Sequence, residues 1–408
     1  MGTIVLRDGV IFDGHSPELL DGADVLIEDG EIKEVSERSL KTAGAQEIRL
    51  GGRFLLPGLI DAHFHAYAAR VNLPSLDDWP MSLLSQHART LLEDALQRGF
   101  TSIRDAAGAD FGLAAAIEQG LIKGPRLFFS GRALSQTGGH GDTRPVKHFE
   151  PCACGFQGCL SQVADGVDAV RRAAREELRK GAHQIKIMAT GGLSSPTDPV
   201  WMLQYSDEEI RAAVEEAASR RTYVMAHAYT AEAVARVVKL GVRSIEHANL
   251  IDQPTAELVA QHGAYVVPTL VTYETLGELG KELGLPEGNI VKLKEIQTAG
   301  LTSLELCQAA GIKLGYGTDL LGPLHAQQCR EFLIRREVLN PIDILRSATS
   351  INAEILNQSG KLGTVAPGAY ADLVVFDGNP LEDLGVLQPE AGGPRLVMKA
   401  GAIYKNSL

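Results

Sequence analysis

The feature that most restricts the fold of this 408-residue chain is a rhythm repeated through its middle: an amphipathic stretch, a glycine, then a short β-branched run. Residues 82–98 end at Gly99 and precede 101–104; residues 168–180 end at Gly181 and precede 184–188. The same pattern places Gly241 between 231–240 and 242–245, Gly263 between 255–262 and 265–267, and Gly311 between 301–310 and 312–316. A glycine just past a helix end supplies the left-handed cap that stops the helix. Ser206 and Glu209 stand three apart and predict a capping box at another helix start. Strand candidates fall near Leu59, Ile103, Phe128, Ile187, Val224, Ile245, Val266 and Leu314. Eight β/α units predict a (β/α)8 TIM barrel over residues 57–362. A doubly wound sheet is the rival, and no G-x-G-x-x-G follows the first strand to favour it.

The two flanks read differently. Residues 3–7, 10–12, 23–28 and 31–35 alternate apolar and polar, with Asp8-Gly9, Asp13-Gly14 and Asp29-Gly30 as hairpin-type turns. Residues 371–376, 396–399 and 401–405 repeat that style, with Asp377-Gly378 after the first of them. Neither flank can close a core alone. The expectation is therefore a small β-sandwich domain made from residues 1–56 plus 363–408.

Composition removes several classes of function. The formal charge, 39 − 51 = −12, has the wrong sign for a protein that tracks phosphates, so no nucleic-acid partner is expected. No apolar run is long enough for a membrane span, and the segment from Met1 to Gly9 lacks a signal-peptide pattern. With five cysteines at low density, a reducing cytoplasm is expected. Cys152, Cys154 and Cys159, with His148 upstream, could form a zinc knuckle or a disulfide; the spacing matches no common zinc pattern, and free thiols in a long loop are the expected state.

Active sites of such barrels gather at the carboxyl ends of the strands. Strand 1 ends in Asp61-Ala62-His63-Phe64-His65, strand 4 carries Lys186 between Ile185 and Ile187, strand 5 ends at His227, strand 6 at His247 and strand 8 at Asp319. A lone histidine at any of these positions would be an ordinary core or surface residue. Their joint placement on one rim points to metal binding, and period two puts His63 and His65 on the same side of their strand. An unmodified ammonium at Lys186 would be costly to desolvate. Reaction of the neutral amine with CO2 to a carbamate that bridges two ions resolves this; a carboxylate partner or a Schiff-base role are the alternatives.

Residues 57–65, Lys186, His227, His247 and Gly317-Thr318-Asp319, together with the segment from Pro367 to Leu373, resemble the binuclear amidohydrolase superfamily. Residues 185–192 and Ala226-His227-Ala228-Tyr229 resemble the branch of bacterial Xaa-Pro dipeptidases (prolidase-like), Xaa-Arg carboxypeptidases and ochratoxin-type amidohydrolases. The resemblance implies that His63, His65 and Asp319 bind one metal ion and His227 and His247 a second. Carboxylated Lys186 and a nucleophilic hydroxide would bridge them. It also implies that Asp319 shuttles the proton, and that His140 and Tyr229 hold the substrate's carbonyl oxygen or carboxylate. Zinc is the default ion for imidazole-rich ligation. The implied substrate is a dipeptide or N-acyl amino acid, the implied assembly a homo-oligomer. A mononuclear deaminase or cyclic-amide hydrolase, which generally lacks the strand-4 lysine, and a non-catalytic relative are the alternatives.

Asp105 reads as a residue that orients a ligand histidine, while His87, His183 and His262 read as structural. His325 could line the pocket. Specificity is expected from loops 66–83, 132–160, 269–289 and 320–330, with Arg132, Arg144, Lys147 and Arg330 as candidate partners for a substrate carboxylate.

Overall fold

The computed structural model describes residues 2–144, 160–195 and 197–408. Cys152, Cys154, Cys159, His148 and Lys147 therefore lie outside the described residues. Strands β1 (Ile4–Ile11), β2 (Leu20–Glu28), β3 (Glu31–Ser36), β4 (Gln46–Arg49) and β5 (Phe54–Pro57) come first. Strands and helices then alternate: β6 (Leu59–Phe64), α1 (Met81–Gln97), β7 (Phe100–Asp105), α2 (Phe111–Glu118), β8 (Arg126–Phe129), β9 (Ala133–Ser135), β10 (Ser161–Val163), α3 (Val167–Arg179) and β11 (Ile185–Met188). The alternation continues with α4 (Asp207–Ser219), β12 (Val224–Thr230), α5 (Ala231–Lys239), β13 (Ser244–Leu250), α6 (Gln253–Gln261) and β14 (Tyr265–Val267). Helices α7 (Leu270–Leu279), α8 (Glu287–Gln297), α9 (Gly300–Ala309), α10 (Arg330–Arg335), α11 (Pro341–Ser347) and α12 (Ser350–Ile355) precede the last strands, β15 (Leu373–Phe376), β16 (Leu396–Lys399) and β17 (Ala402–Asn406).

Both ends of the chain share one eight-stranded sheet, in the order β17-β16-β15-β5-β1-β2-β3 with β4 also on β1. Leu6, Ile27 and Leu55 from the first flank and Val375 and Met398 from the second close one apolar core. Hydrogen bonds run continuously through these strands, so the expected sandwich is one sheet here. Asp8-Gly9 is not a hairpin either. β1 runs straight through it, with Asp8 at φ 57° and the register against β2 slipping between Leu6 and Gly9, a bulge that bends the strand. Asp29-Gly30 does turn the chain between β2 and β3, with φ of 51° and 82°.

The parallel strands form a three-stranded sheet, β6-β7-β8, and a six-stranded one, β10-β9-β11-β12-β13-β14. The eighth expected strand, near Leu314, is reduced to a single bridge to Val266. That segment still touches both sheets: the Gly315 amide donates to Val266 O (2.8 Å), the Ala62 amide to Tyr316 O (2.8 Å) and the Asp319 amide to His63 O (2.7 Å). Between β8 and β11 the ladder is interrupted, so the two sheets are not one closed ladder. There the His183 amide donates to Phe129 O (2.9 Å), and the Gln184 side-chain amide donates to Asp105 O (3.1 Å) and Phe128 O (3.3 Å).

Gly99, Gly181, Gly241, Gly263 and Gly311 all follow helix ends with φ between 64° and 97°, the left-handed caps that the sequence predicts. No helix among the described residues is long and apolar enough to cross a membrane.

The predicted capping box is present at α4: Ser206 Oγ accepts the Glu209 amide (3.3 Å) and Glu209 Oε2 accepts the Ser206 amide (2.6 Å). Ser206→Ala is expected to lose about 1 kcal/mol in denaturant unfolding, with Ser206→Asp near wild type. Equal stability of all three proteins would show that the box is idle.

Candidate metal centre

His63, His65, Lys186, His227, His247 and Asp319, with His140 and Tyr229, all line one pocket. They arrive there on β6, β11, β12, β13, the segment after Leu314 and the loop after β9. His63 Nε2 and His65 Nε2 stand 3.5 and 3.0 Å from Asp319 Oδ1, and one ligand atom from each of the three residues falls within 4.8 Å of the others. The imidazoles form a chain: His65 to His63 at 5.3 Å between centroids, His63 to His247 at 5.0 Å, His247 to His227 at 4.7 Å, and His227 to His140 at 4.3 Å.

The partners of each ring select its tautomer. His63 Nδ1 lies 2.7 Å from Glu246 Oε2 and His65 Nδ1 lies 3.3 Å from Ala107 O, both groups that accept. Each Nδ1 therefore carries a proton and donates it, which turns both Nε2 atoms towards Asp319. His227 is the reverse: its Nε2 lies 3.2 Å from Gly191 O and donates, so Nδ1 keeps the lone pair. His247 Nδ1 is held by Thr269 Oγ1 (2.8 Å) and the Tyr273 hydroxyl (2.9 Å).

Glu246 is the residue that sequence reasoning missed. Its other contacts are to Arg104, which donates from Nη2 to Oε1 at 2.9 Å, and to Ser244 Oγ (2.6 Å). Arg104 and Glu246 have no solvent exposure at all. Arg104 also donates to Ala62 O (2.5 Å) and Ser244 Oγ (3.1 Å), so the buried charges are fully engaged. The only available signal was a pair of opposite charges, Arg104 and Glu246, inside two strand candidates. Asp105, by contrast, touches no imidazole nitrogen: it accepts the Ala66 amide (2.7 Å) and the Ala109 amide (3.0 Å) and fastens the loops after β6 and β7.

Electrostatics follow from burial. Lys186 is buried between Ile185 and Ile187, and burial lowers its amine to about 8, against the pull of Glu246 and Asp319. Burial would raise the Asp319 carboxyl, but the imidazoles of His63 and His65 outweigh it and hold it below the usual carboxylate range. Burial pushes His63 and His227 well down and His247 to about 3, so these imidazoles are neutral lone-pair donors. Three non-glycine residues here sit in left-handed backbone, His247 at φ 80°, Asp319 at 51° and Thr269 at 52°. Each such position costs on the order of 1–3 kcal/mol and persists only where the surroundings enforce it.

The donor set suits divalent transition ions: neutral imidazoles, one ionised carboxylate and a buried amine able to become a carbamate. The pocket's other walls are largely apolar, including Leu73, Leu160, Met188, Leu193, Leu276 and Leu321. Several expectations need correction. Arg144 is spent on Asp142 and Arg330 on Glu274 and Glu278, and neither they nor Arg132 line the pocket. His325 packs on Phe64 at 4.5 Å, off the pocket, and among the described residues neither ring nitrogen has a partner. Leu193 and Ser194, in the loop after β11, line the pocket although that loop was not among those expected to set specificity.

The family model of the amidohydrolases matches residues 54–403. The chain belongs to the amidohydrolase family. Among its relatives, an ochratoxinase of Aspergillus niger is 34% identical over 370 residues, covering 86% of this chain and 75% of that protein. The solved structure of a prolidase complexed with N-methylphosphonate-L-proline is 50% identical, with a TM-score of 0.97 over 99% of this chain and 100% of the other. A Xaa-Pro dipeptidase structure with bound methionine is 27% identical, with a TM-score of 0.89 over 99% of this chain and 100% of that one. This amidohydrolase thus shares its whole described architecture with enzymes that carry prolidase and ochratoxinase names.

Glu246→Gln removes the charge opposite Arg104 and weakens the hold on His63. It is expected to destabilise the fold by about 3–5 kcal/mol in denaturant unfolding. A loss under about 1 kcal/mol would show that the buried pair is not a structural support.

Proposed function

We propose that this amidohydrolase hydrolyses the amide bond of a dipeptide ending in proline, using two divalent metal ions held at the mouth of a (β/α)8 barrel. The observation that carries this reading is the convergence of five imidazoles and Asp319 around the buried Lys186 in one pocket. The similarity to a prolidase over the full chain supports the substrate class. His63, His65 and Asp319 would hold one ion, His227 and His247 the other, and Lys186 carboxylated by CO2 would join them. Zinc suits these ligands. Bound there, the ions lower the pKa of water towards neutrality and polarise the scissile carbonyl.

The chain's own residues do the rest. Asp319, whose Oδ1 stands 3.0 Å from His65 Nε2, takes a proton from the attacking water and passes it to the departing nitrogen. The Tyr273 hydroxyl donates to the Tyr229 hydroxyl (3.2 Å), which leaves the Tyr229 proton free to meet the carbonyl oxygen. Such a donor is worth about 3 kcal/mol when aimed at developing charge. His140, stacked on His227, faces the same space and binds the substrate. The apolar walls and the ochratoxinase relative favour a second substrate class for the same chemistry, N-acyl aromatic amino acids. A mononuclear deaminase has no use for Lys186.

Metal analysis of the purified protein is expected to find about two ions per chain, with Lys186→Ala losing most of the metal and activity; full metal retention and near-normal turnover in that variant would discard the carbamate. Asp319→Asn is expected to slow turnover by about 100-fold or more with an unchanged circular dichroism spectrum. Turnover within tenfold of wild type would remove Asp319 as the proton carrier.

A further inference from the structure

The ring of His140 lies flat against the loop that follows β11. At Gly192 an added Cβ would fall 2.2 Å from His140 Cε1, so only glycine lets the imidazole approach this closely. The same loop holds two imidazoles by hydrogen bonds: Ser195 Oγ lies 2.8 Å from His140 Nδ1, and Gly191 O lies 3.2 Å from His227 Nε2. Where this loop sits therefore decides where both rings sit.

One ammonium holds the loop from outside. Lys292, on α8, donates to three backbone carbonyls of that single loop: Gly192 O (2.9 Å), Ser195 O (3.0 Å) and Asp198 O (2.6 Å). An ammonium has three protons, and all are used. Its charge is balanced by the Asp198 carboxylate, 4.0 Å from Nζ, which is wholly buried. That carboxylate in turn accepts the Gly192 amide (3.2 Å) and the Gln204 side-chain amide (2.9 Å), closing the loop on itself. α8 follows β14, whereas the loop follows β11, so the contact ties two widely separated stretches of the chain at the pocket. Lysine suits the task better than arginine, because three diverging acceptors fit a tetrahedral ammonium and not a planar fork.

We propose that Lys292 is a positioning residue: it latches α8 to the loop after β11 and thereby fixes the imidazoles of His140 and His227 for amide hydrolysis. This inference rests on the function proposed above. The latch acts through Ser195 on His140 and through Gly191 on His227, and Lys292 itself touches neither ring.

The test uses the full-length, metal-loaded protein as wild type, Lys292→Met, Lys292→Arg, Ser195→Ala and the Lys292→Met/Ser195→Ala double variant. Hydrogen exchange by mass spectrometry is read on peptides covering residues 189–204, and steady-state kinetics on a proline-ended dipeptide. Lys292→Met is expected to exchange at least about tenfold faster in those peptides and to lose about 10–100-fold in kcat/KM. Lys292→Arg is expected to recover part of that loss. Because both side chains act on His140, the double variant should fall within about twofold of the worse single one. Unchanged exchange, kcat/KM within twofold of wild type, or fully additive losses would each overturn the latch. If wild type hydrolyses no amide substrate, the proposed function fails by itself, and the exchange comparison alone decides whether Lys292 holds the loop.

Discussion

Beneath the pocket lies a guanidinium that water does not reach. Arg104, on β7, is paired with Glu246, on β13, and both are fully buried. Placing two ions in such surroundings costs several kcal/mol each, and is repaid only when every donor and acceptor is matched. Here Ala62 O, Ser244 Oγ and the Tyr223 hydroxyl take up what the ion pair leaves over. The second oxygen of Glu246 reaches His63 Nδ1. One carboxylate thus pins two strands together and also turns an imidazole so that its lone pair faces the site.

The remaining imidazoles are oriented by the same device with different acceptors: a carbonyl for His65, a carbonyl from the next loop for His227, a hydroxyl pair for His247. The backbone is bent to bring them together. His247 and Asp319 occupy left-handed conformations that side chains resist, and the inter-strand hydrogen bond from the Asp319 amide to His63 O holds the second of them in place. Asp61 reinforces that junction from below by accepting the Thr318 hydroxyl (2.6 Å) and the Gln328 side-chain amide (2.9 Å). Stability has been surrendered locally to aim ligands at one point.

Much of this was legible in the sequence because it depends on local chemistry. Glycine caps mark helix ends wherever they occur, and the strand-end residues His63, His65, Lys186, His227, His247 and Asp319 betray themselves by polarity at positions that should be apolar. Glu246 escaped because alternation along a strand sends neighbours to opposite faces, and the positive φ at His247 breaks that alternation. Arg144 and Arg330 looked free because their acidic partners, Asp142, Glu274 and Glu278, can be assigned only once the chain is folded. The three carbonyls around Lys292 are invisible for the same reason: backbone acceptors carry no residue type. Asp8-Gly9 was misleading in another way, since a positive φ followed by glycine serves a bulge as well as a hairpin.

The most direct measurement is anomalous diffraction at the zinc edge from crystals of the zinc-loaded protein. Two peaks are expected, one among His63, His65 and Asp319 and one beside His227 and His247, with branched density continuing past Lys186 Nζ between them. A solitary peak, peaks away from these side chains, or an unbranched amine at Lys186 would contradict the two-ion centre.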